Sequence, residues 1–126
     1  MSGGQLLDSH ALLWFLAGNS KRILPPLRGR LEDEATTVSA ASLWEIAIKV
    51  GLGKLRAPRD LPQRVEELGF QLLPVRPEHA WRTRDLPPHH RDPFDRLLVA
   101  QAQVEQLPIV TVDPQLAPYD VEIVWN

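Results

Sequence analysis

Four carboxylates in this sequence have the types and the spacing of a site for a hard metal ion. They are, in chain order, Asp8 closing QLLD, Glu45 inside SLWEIAIK, Asp95 in DPFDRLL and Asp113 closing IVTVD. Each lies at or just beyond an apolar, β-competent run, and ligands bind at such points in open α/β sheets because a reversal of strand order opens a crevice there. Although distant in sequence, the four side chains are therefore expected to converge.

The elements that would position these acids alternate along the chain between strands and helices. Strands are predicted at residues 5–7, 36–39, 70–74, 109–112 and 122–125. Helices are predicted at 9–17, within 20–34 with a break at Pro25-Pro26, and at 41–52, 62–68, 77–84 and 93–105. This alternation predicts right-handed βαβ units and a parallel sheet covered on both faces.

Length and composition set the overall organisation. A chain of 126 residues with 44% hydrophobic content is the size of one compact domain, and its twelve prolines fall between elements or in first turns. We therefore expect a single domain over residues 1–126. The sequence has no apolar run of about 18 residues, and its start lacks the pattern of a signal peptide, so the expected location is cytoplasmic, without a membrane.

The absence of cysteine narrows the chemistry. Disulfides, zinc–thiolate sites and thiol nucleophiles are excluded, so a metal would be bound by oxygen atoms or by the four histidines. Hard cations such as Mg²⁺ or Mn²⁺ suit such ligands. Of the histidines, His10, His89 and His90 lie near the acidic motifs, but exposed or capping roles explain them more simply, and they are left outside the predicted site.

Charge gives no strong indication of nucleic-acid binding. The net charge is −2 and the pI is about 6.1, which argues against a strongly basic surface. Five arginines within 21 residues could nevertheless track phosphates: Arg76, Arg82, Arg84, Arg91 and Arg96. A solvated helix face with a few surface ion pairs is the simpler interpretation.

Each acid also has a purely structural interpretation. Asp92, Asp113 and Asp8 precede predicted helical turns, so they could serve only as N-caps, although Ser9 could replace Asp8 in that role. Glu45 lies in a helix that is apolar on nearly every face, and Lys49 one turn later is the simple partner, contributing about 0.3–0.5 kcal/mol. The alternative is that Glu45 faces the other acids, whose mutual repulsion requires cations.

Four segments carry a resemblance to a known family: LLDSHALLWFL, SAASLWEIAIKVGLGKL, RDPFDRLLVAQAQ and IVTVDPQLAPYDVEIVW. They closely resemble the PIN-domain family, especially the VapC-type toxins of type II toxin–antitoxin systems, in the family's order and over almost the whole chain. Ser9 keeps the hydroxyl of a position that is often threonine in relatives. Thr111 matches a hydroxyl position that often supports the last acid.

The resemblance implies an α/β fold of three layers, α/β/α, with a Rossmann-like, mostly parallel sheet of about five strands. It implies an endoribonuclease that depends on Mg²⁺ or Mn²⁺, with an RNA substrate, a cognate antitoxin partner and a homodimeric state. Asp8 and Asp95 would be the firmest metal ligands, while Glu45 and Asp113 would bind a second ion or orient the attacking water. Asp92 would cap its helix or act as an outer-shell ligand.

Two alternative functions fit the sequence less well. A phospho-receiver should have paired acids after its first strand and an aspartate after its third, whereas Asp8 stands alone and FQLLPV ends without an acid. A non-catalytic PIN-like domain would bind RNA or protein without cutting, which the intact acids disfavour.

The tryptophans Trp14, Trp44 and Trp81 are expected in the core, with a partner groove or a dimer interface as the alternative.

Overall fold

The computed structural model of the chain describes residues 4–126 and contains a sheet of five parallel strands. The strands are β1 (Gln5–Leu7), β2 (Thr36–Ser39), β3 (Gln71–Leu73), β4 (Ile109–Val110) and β5 (Ile123–Val124). The helices are α1 (Ser9–Leu16), α2 (Pro25–Asp33), α3 (Ala40–Gly51), α4 (Leu61–Glu67), α5 (Pro77–Arg82) and α6 (Pro93–Glu105), with 3₁₀ turns at Thr83–Asp85 and Pro114–Leu116. The predicted alternation and the parallel sheet are confirmed.

The strand order, β3-β2-β1-β4-β5, places the crevice of the sheet. From β1 the chain moves outward to β2 and β3, then returns across the sheet to β4 on the other side of β1. The direction of winding therefore reverses between β1 and β4, where a parallel sheet opens a ligand crevice at the carboxyl ends of its strands. Asp8 directly follows β1 and Asp113 lies three residues after β4.

Alternating strand residues face two hydrophobic layers, because successive side chains of a strand point to opposite faces. Leu7 and Val110 pack with helices α1 to α4 on one face. Leu6 and Ile109 pack with α6 and with Tyr119 on the other. This arrangement is the three-layer α/β/α fold that was expected.

Several details differ from the sequence-based expectations. Strands β3, β4 and β5 are shorter than predicted, and α2 begins at Pro25 because proline is tolerated in a first helical turn. The expectation that the tryptophans lie in the core is wrong for Trp44 and Trp81, whose exposed fractions are 62% and 68%. Trp14 is half-buried and packs edge-on against Trp125, with ring centroids 5.8 Å apart. Within residues 4–126, no helix is long and apolar enough to cross a membrane.

Candidate metal centre

The four predicted acids line one small cavity at the carboxyl edge of the sheet. This acidic cavity has a volume of about 100 Å³ and is lined by Asp8, Ser9, His10, Glu45, Lys49, Asp92, Asp95 and Asp113. Glu45 and Asp95 lie in the second turn of α3 and the first turn of α6, inside the two helices that the sequence predicts there. Helices α3 and α6 pack against each other, and this packing brings their acids to the crevice.

Asp8 combines a capping role with a position in the acidic cavity. Its Oδ1 accepts a hydrogen bond of 2.8 Å from the backbone N–H of Ala11 and caps α1, while its Oδ2 accepts one of 2.5 Å from the Thr111 hydroxyl. Burial raises the pKa of the Asp8 carboxyl, against these two hydrogen bonds, which lower it. A carboxylate oxygen has two lone pairs and can accept a second interaction, so capping does not exclude metal binding.

Thr111 contacts the last acid, as its position suggests, and also the first. Its hydroxyl accepts a hydrogen bond of 3.0 Å from the backbone N–H of Asp113, and it donates to the side chain of Asp8. Thr111 therefore links the first and the last acid across the crevice and does not support the Asp113 carboxylate directly. Asp113 itself caps the 3₁₀ turn after β4, accepting a hydrogen bond of 2.9 Å from the backbone N–H of Gln115.

Glu45 is buried, and both interpretations of this residue are correct in part. Its Oε2 accepts a hydrogen bond of 3.1 Å from the Lys49 ammonium group, which is the expected i,i+4 pair. Its Oε1 accepts one of 2.5 Å from the Ser9 hydroxyl, so the carboxylate is also anchored to the residue that follows Asp8. Glu45 therefore faces the acidic cavity with one ammonium group beside it.

Asp95 shows the electrostatic cost of assembling this cavity. Burial first, and then the nearby Asp92 carboxylate, raise the pKa of Asp95 to about 6, with a further contribution from Glu45. Asp92 is the N-cap of α6, as its sequence predicts, and accepts hydrogen bonds from the backbone N–H groups of Phe94 and Asp95. The protein thus holds a carboxyl group close to other negative charges, which is typical of functional sites.

His90, which the sequence places outside the predicted site, lies beside these acids. Its Nε2 is 2.8 Å from Asp95 Oδ2 and 4.0 Å from Asp113 Oδ2, and one ligand atom from each of the three residues lies within 4.8 Å of the others. A signal was present: Asp95 is the third residue of α6, and an acid at that position can reach back to residues before the helix, as in a capping box. His89 instead packs against the ring of Tyr119.

The arginine cluster has a structural role at its C-terminal end. The Arg96 guanidinium donates to the carbonyl oxygens of Thr83, Leu86, Pro87 and His90 and to the Tyr119 hydroxyl. Phosphate tracking is therefore the wrong interpretation for Arg96. Arg76 pairs with Glu105, and Arg84 pairs with Asp85 on the surface, as the simpler interpretation predicts.

The residues of the acidic cavity fit a hard divalent cation. The donors are carboxylate oxygens from the segments that follow β1 and β4 and from helices α3 and α6. Carboxylate oxygen is the ligand type that Mg²⁺ and Mn²⁺ prefer. The raised pKa values of Asp8 and Asp95 show that these charges are incompletely compensated by the protein. The fold and the cavity together define an α/β protein with a carboxylate-lined cavity at the switch point of its sheet.

Comparison with known proteins gives the family. The PIN domain profile matches residues 6–122, and the chain therefore belongs to the PIN domain family. PIN domains are generally nucleases. Among proteins of curated function, none matches the chain at a significant level.

Solved structures share the fold at low sequence identity. VapBC2 from Rickettsia felis, bound to a DNA fragment from its promoter, is 12% identical with a TM-score of 0.68, over 98% of this chain and 99% of that chain. A toxin–antitoxin complex from Klebsiella pneumoniae is 17% identical with a TM-score of 0.67, over 95% of each chain. FitAcB from Neisseria gonorrhoeae is 21% identical with a TM-score of 0.58, over 96% of each chain.

Proposed function

We propose that this chain is a metal-dependent endoribonuclease and the toxin of a toxin–antitoxin pair. The observation that carries the proposal is the convergence of Asp8, Glu45, Asp95 and Asp113 in one cavity at the switch point of the sheet. Membership of a generally nucleolytic family and the likeness to toxin–antitoxin complexes support it. We propose the cytoplasm as its location, where RNA substrates are accessible.

The acids divide the work in this proposal. Asp8 and Asp95 hold the metal, while Glu45 and Asp113 hold a second ion or orient the attacking water. When bound, Mg²⁺ or Mn²⁺ lowers the pKa of water and offsets the charge that develops on the phosphodiester oxygens. The water gives up a proton as its oxygen adds to phosphorus, and the bond between phosphorus and the 3′ oxygen of the preceding nucleotide breaks. The leaving 3′ oxygen takes up a proton from solvent, so the products carry a 5′-phosphate and a 3′-hydroxyl.

Three neighbouring residues hold these acids in place. The hydroxyls of Ser9 and Thr111 each hold one carboxylate oxygen in place, which fixes the direction of the remaining lone pairs. Lys49 adds one positive charge beside Glu45. The phospho-receiver alternative gains no support, because Pro74 and Val75, which follow β3, carry no carboxylate.

Cleavage of an end-labelled, structured RNA tests this function. We expect cuts with Mn²⁺ or Mg²⁺, none in EDTA, and recovery when Mn²⁺ is added in excess of the chelator. Sequencing of the cleaved ends should show 5′-phosphates. RNA that is retained but uncut with Mn²⁺ would identify the non-catalytic PIN-like alternative, and cutting in EDTA would contradict the metal-dependent mechanism.

Helix α3 offers two surfaces for the proposed protein partners. A groove of about 430 Å³ is lined mainly by apolar residues of α3, of the segment before α4 and of the first turn of α4, among them Leu43, Ile46, Ala47, Val50 and Leu61. We assign this groove to an apolar segment of the antitoxin. On another face of α3, Trp44, Ile48 and Leu52 form an exposed stripe at i, i+4 and i+8, which we assign to a second copy of the chain.

Two charge substitutions on α3 should separate these partners. Ile48→Glu is expected to raise the dissociation constant of the homodimer by at least about 100-fold, because an unpaired carboxylate buried in an interface costs about 3 kcal/mol or more. Ala47→Glu, in the groove, is expected to weaken antitoxin binding and leave the dimer intact. Light scattering and antitoxin titration measure both effects. A dimer that persists in Ile48→Glu would contradict the assignment of the stripe.

A further inference from the structure

His90 has no part in the proposed division of work, yet its ring reaches into the acidic cluster. The side chain is 17% exposed, and its Nε2 lies within hydrogen-bonding distance of Asp95 Oδ2. The Asp95 carboxylate is also the one assigned to hold the metal. An interaction at this atom therefore bears directly on how the proposed ligand is oriented.

Hydrogen bonding identifies which ring nitrogen of His90 is the donor. The backbone N–H of Arg91 donates to His90 Nδ1 at 3.1 Å, so Nδ1 acts as an acceptor. In the neutral ring the proton is then on Nε2, which donates to Asp95 Oδ2 at 2.8 Å. A metal bond at Nε2 would require the opposite tautomer and would oppose the Arg91 N–H, so the geometry favours a donor over a metal ligand.

The backbone of His90 is held in place independently of its ring. Its N–H donates to the hydroxyl of the buried Tyr119 at 2.9 Å, and its carbonyl oxygen accepts from Arg96 Nη1 at 3.3 Å. Arg96 also contacts Leu86 and the Tyr119 hydroxyl. Asp95 and the arginine that immobilises His90 are thus consecutive residues of α6.

We propose that His90 is a positioning residue whose Nε2–H orients the Asp95 carboxylate for metal binding. One lone pair of Oδ2 accepts from His90, which leaves the other lone pairs of the carboxylate for the cation. Outer-shell donors of this kind typically contribute about 10–100-fold to metal affinity. The inference rests on the proposed function, because it needs a metal at Asp95.

Calorimetric titration of metal-free protein with MnCl₂ tests this role without measuring activity. We expect His90→Ala to weaken Mn²⁺ binding about 10–100-fold and His90→Gln to remain within about threefold of the unchanged protein, since its amide N–H can replace Nε2–H. His89→Ala, which removes a neighbouring ring that packs on Tyr119, is the matched control and should keep full affinity. Thermal unfolding of each variant checks that it is folded.

The outcomes separate failure of this inference from failure of the function. If the unchanged protein takes up no Mn²⁺, the proposed nuclease function fails. If it binds Mn²⁺ and a folded His90→Ala binds equally well, or if His90→Gln does not restore affinity, the positioning role is wrong. Pulsed electron paramagnetic resonance adds a second test, made on His10→Ala because His10 also lines the acidic cavity. Strong ¹⁴N coupling to Mn²⁺ that persists in His10→Ala and is lost in His90→Ala would show His90 as a direct ligand and overturn the proposal.

Discussion

Asp95→Asn is expected to reduce RNA cleavage at least about 1,000-fold, a loss of about 4 kcal/mol of transition-state stabilisation, with the fold intact. The substitution keeps the size of the side chain and an oxygen that accepts from His90, but it removes the charge that attracts a cation. Single-turnover cleavage with saturating Mn²⁺ measures the loss. Asp120→Asn is the control, because Asp120 is exposed and lies outside the acidic cavity.

The same variant should be more stable than the unchanged protein in metal-free buffer at pH 8. Folding raises the pKa of Asp95 from 3.8 to about 6, so ionised Asp95 destabilises the folded state and its protonated form is favoured there. The stability that protonated Asp95 contributes is complete below the unfolded pKa and is lost as pH rises through about 6. Removing this penalty should raise the free energy of unfolding by about 1–2 kcal/mol, because solvent screening at this partly exposed carboxylate reduces the effect of the full pKa shift.

Urea unfolding in EDTA at two pH values measures this effect. The difference between Asp95→Asn and the unchanged protein should be largest at pH 8 and should disappear as pH approaches 4. Asp120→Asn should show no such pH-dependent gain. Loss of folding in Asp95→Asn, or a variant that is less stable at pH 8, would mean that Asp95 has a structural role and would count against the proposed site.

Metal binding is expected to weaken steeply at acidic pH. Protons compete with the cation for the Asp95 carboxylate below its pKa of about 6, so the Mn²⁺ affinity should fall about tenfold for each pH unit below that value. Burial also raises the pKa of Asp8, and its protonation adds to the same trend. The direction is loss of affinity as pH falls.

Calorimetric titrations with Mn²⁺ between pH 5 and 8 measure this dependence. We expect a plateau above about pH 7 and a decline below pH 6, with protons released on binding in the acidic range. Thermal unfolding in citrate-free buffer at each pH confirms that the protein remains folded. An affinity that is the same at pH 5 and pH 8 would contradict metal coordination by Asp95.

The sequence predicted the order of the elements well because local signals mark them. Helices α5 and α6 are marked by the prolines at their starts, and β2 is marked by its β-branched residues. None of these signals depends on tertiary contacts. The lengths of the strands were harder to predict, because they depend on hydrogen bonds to the neighbouring strands. Strand β4 ends at Val110, which pairs with Leu7 and Val124, and the next residue, Thr111, directs its hydroxyl to Asp8.

Parts of the candidate site could not be predicted either, because they also depend on tertiary contacts. Helix α3 is apolar on several faces, so its pattern did not reveal that Trp44 lies on the exposed stripe while Ile46 is buried. The contact between His90 and Asp95 crosses the start of α6, and it depends on the loop conformation that Arg96 and Tyr119 stabilise. Asp8 caps α1 and also lines the acidic cavity, whereas a single sequence presents capping and a place in the site as alternatives.

Anomalous diffraction from crystals of the protein soaked in MnCl₂ tests the central claim most directly. We expect a manganese peak inside the acidic cavity, in direct contact with carboxylate oxygens of Asp8 and Asp95, and absent from crystals soaked in EDTA. Soaked crystals that show no manganese in that cavity, or manganese bound only elsewhere, would contradict metal binding by these acids.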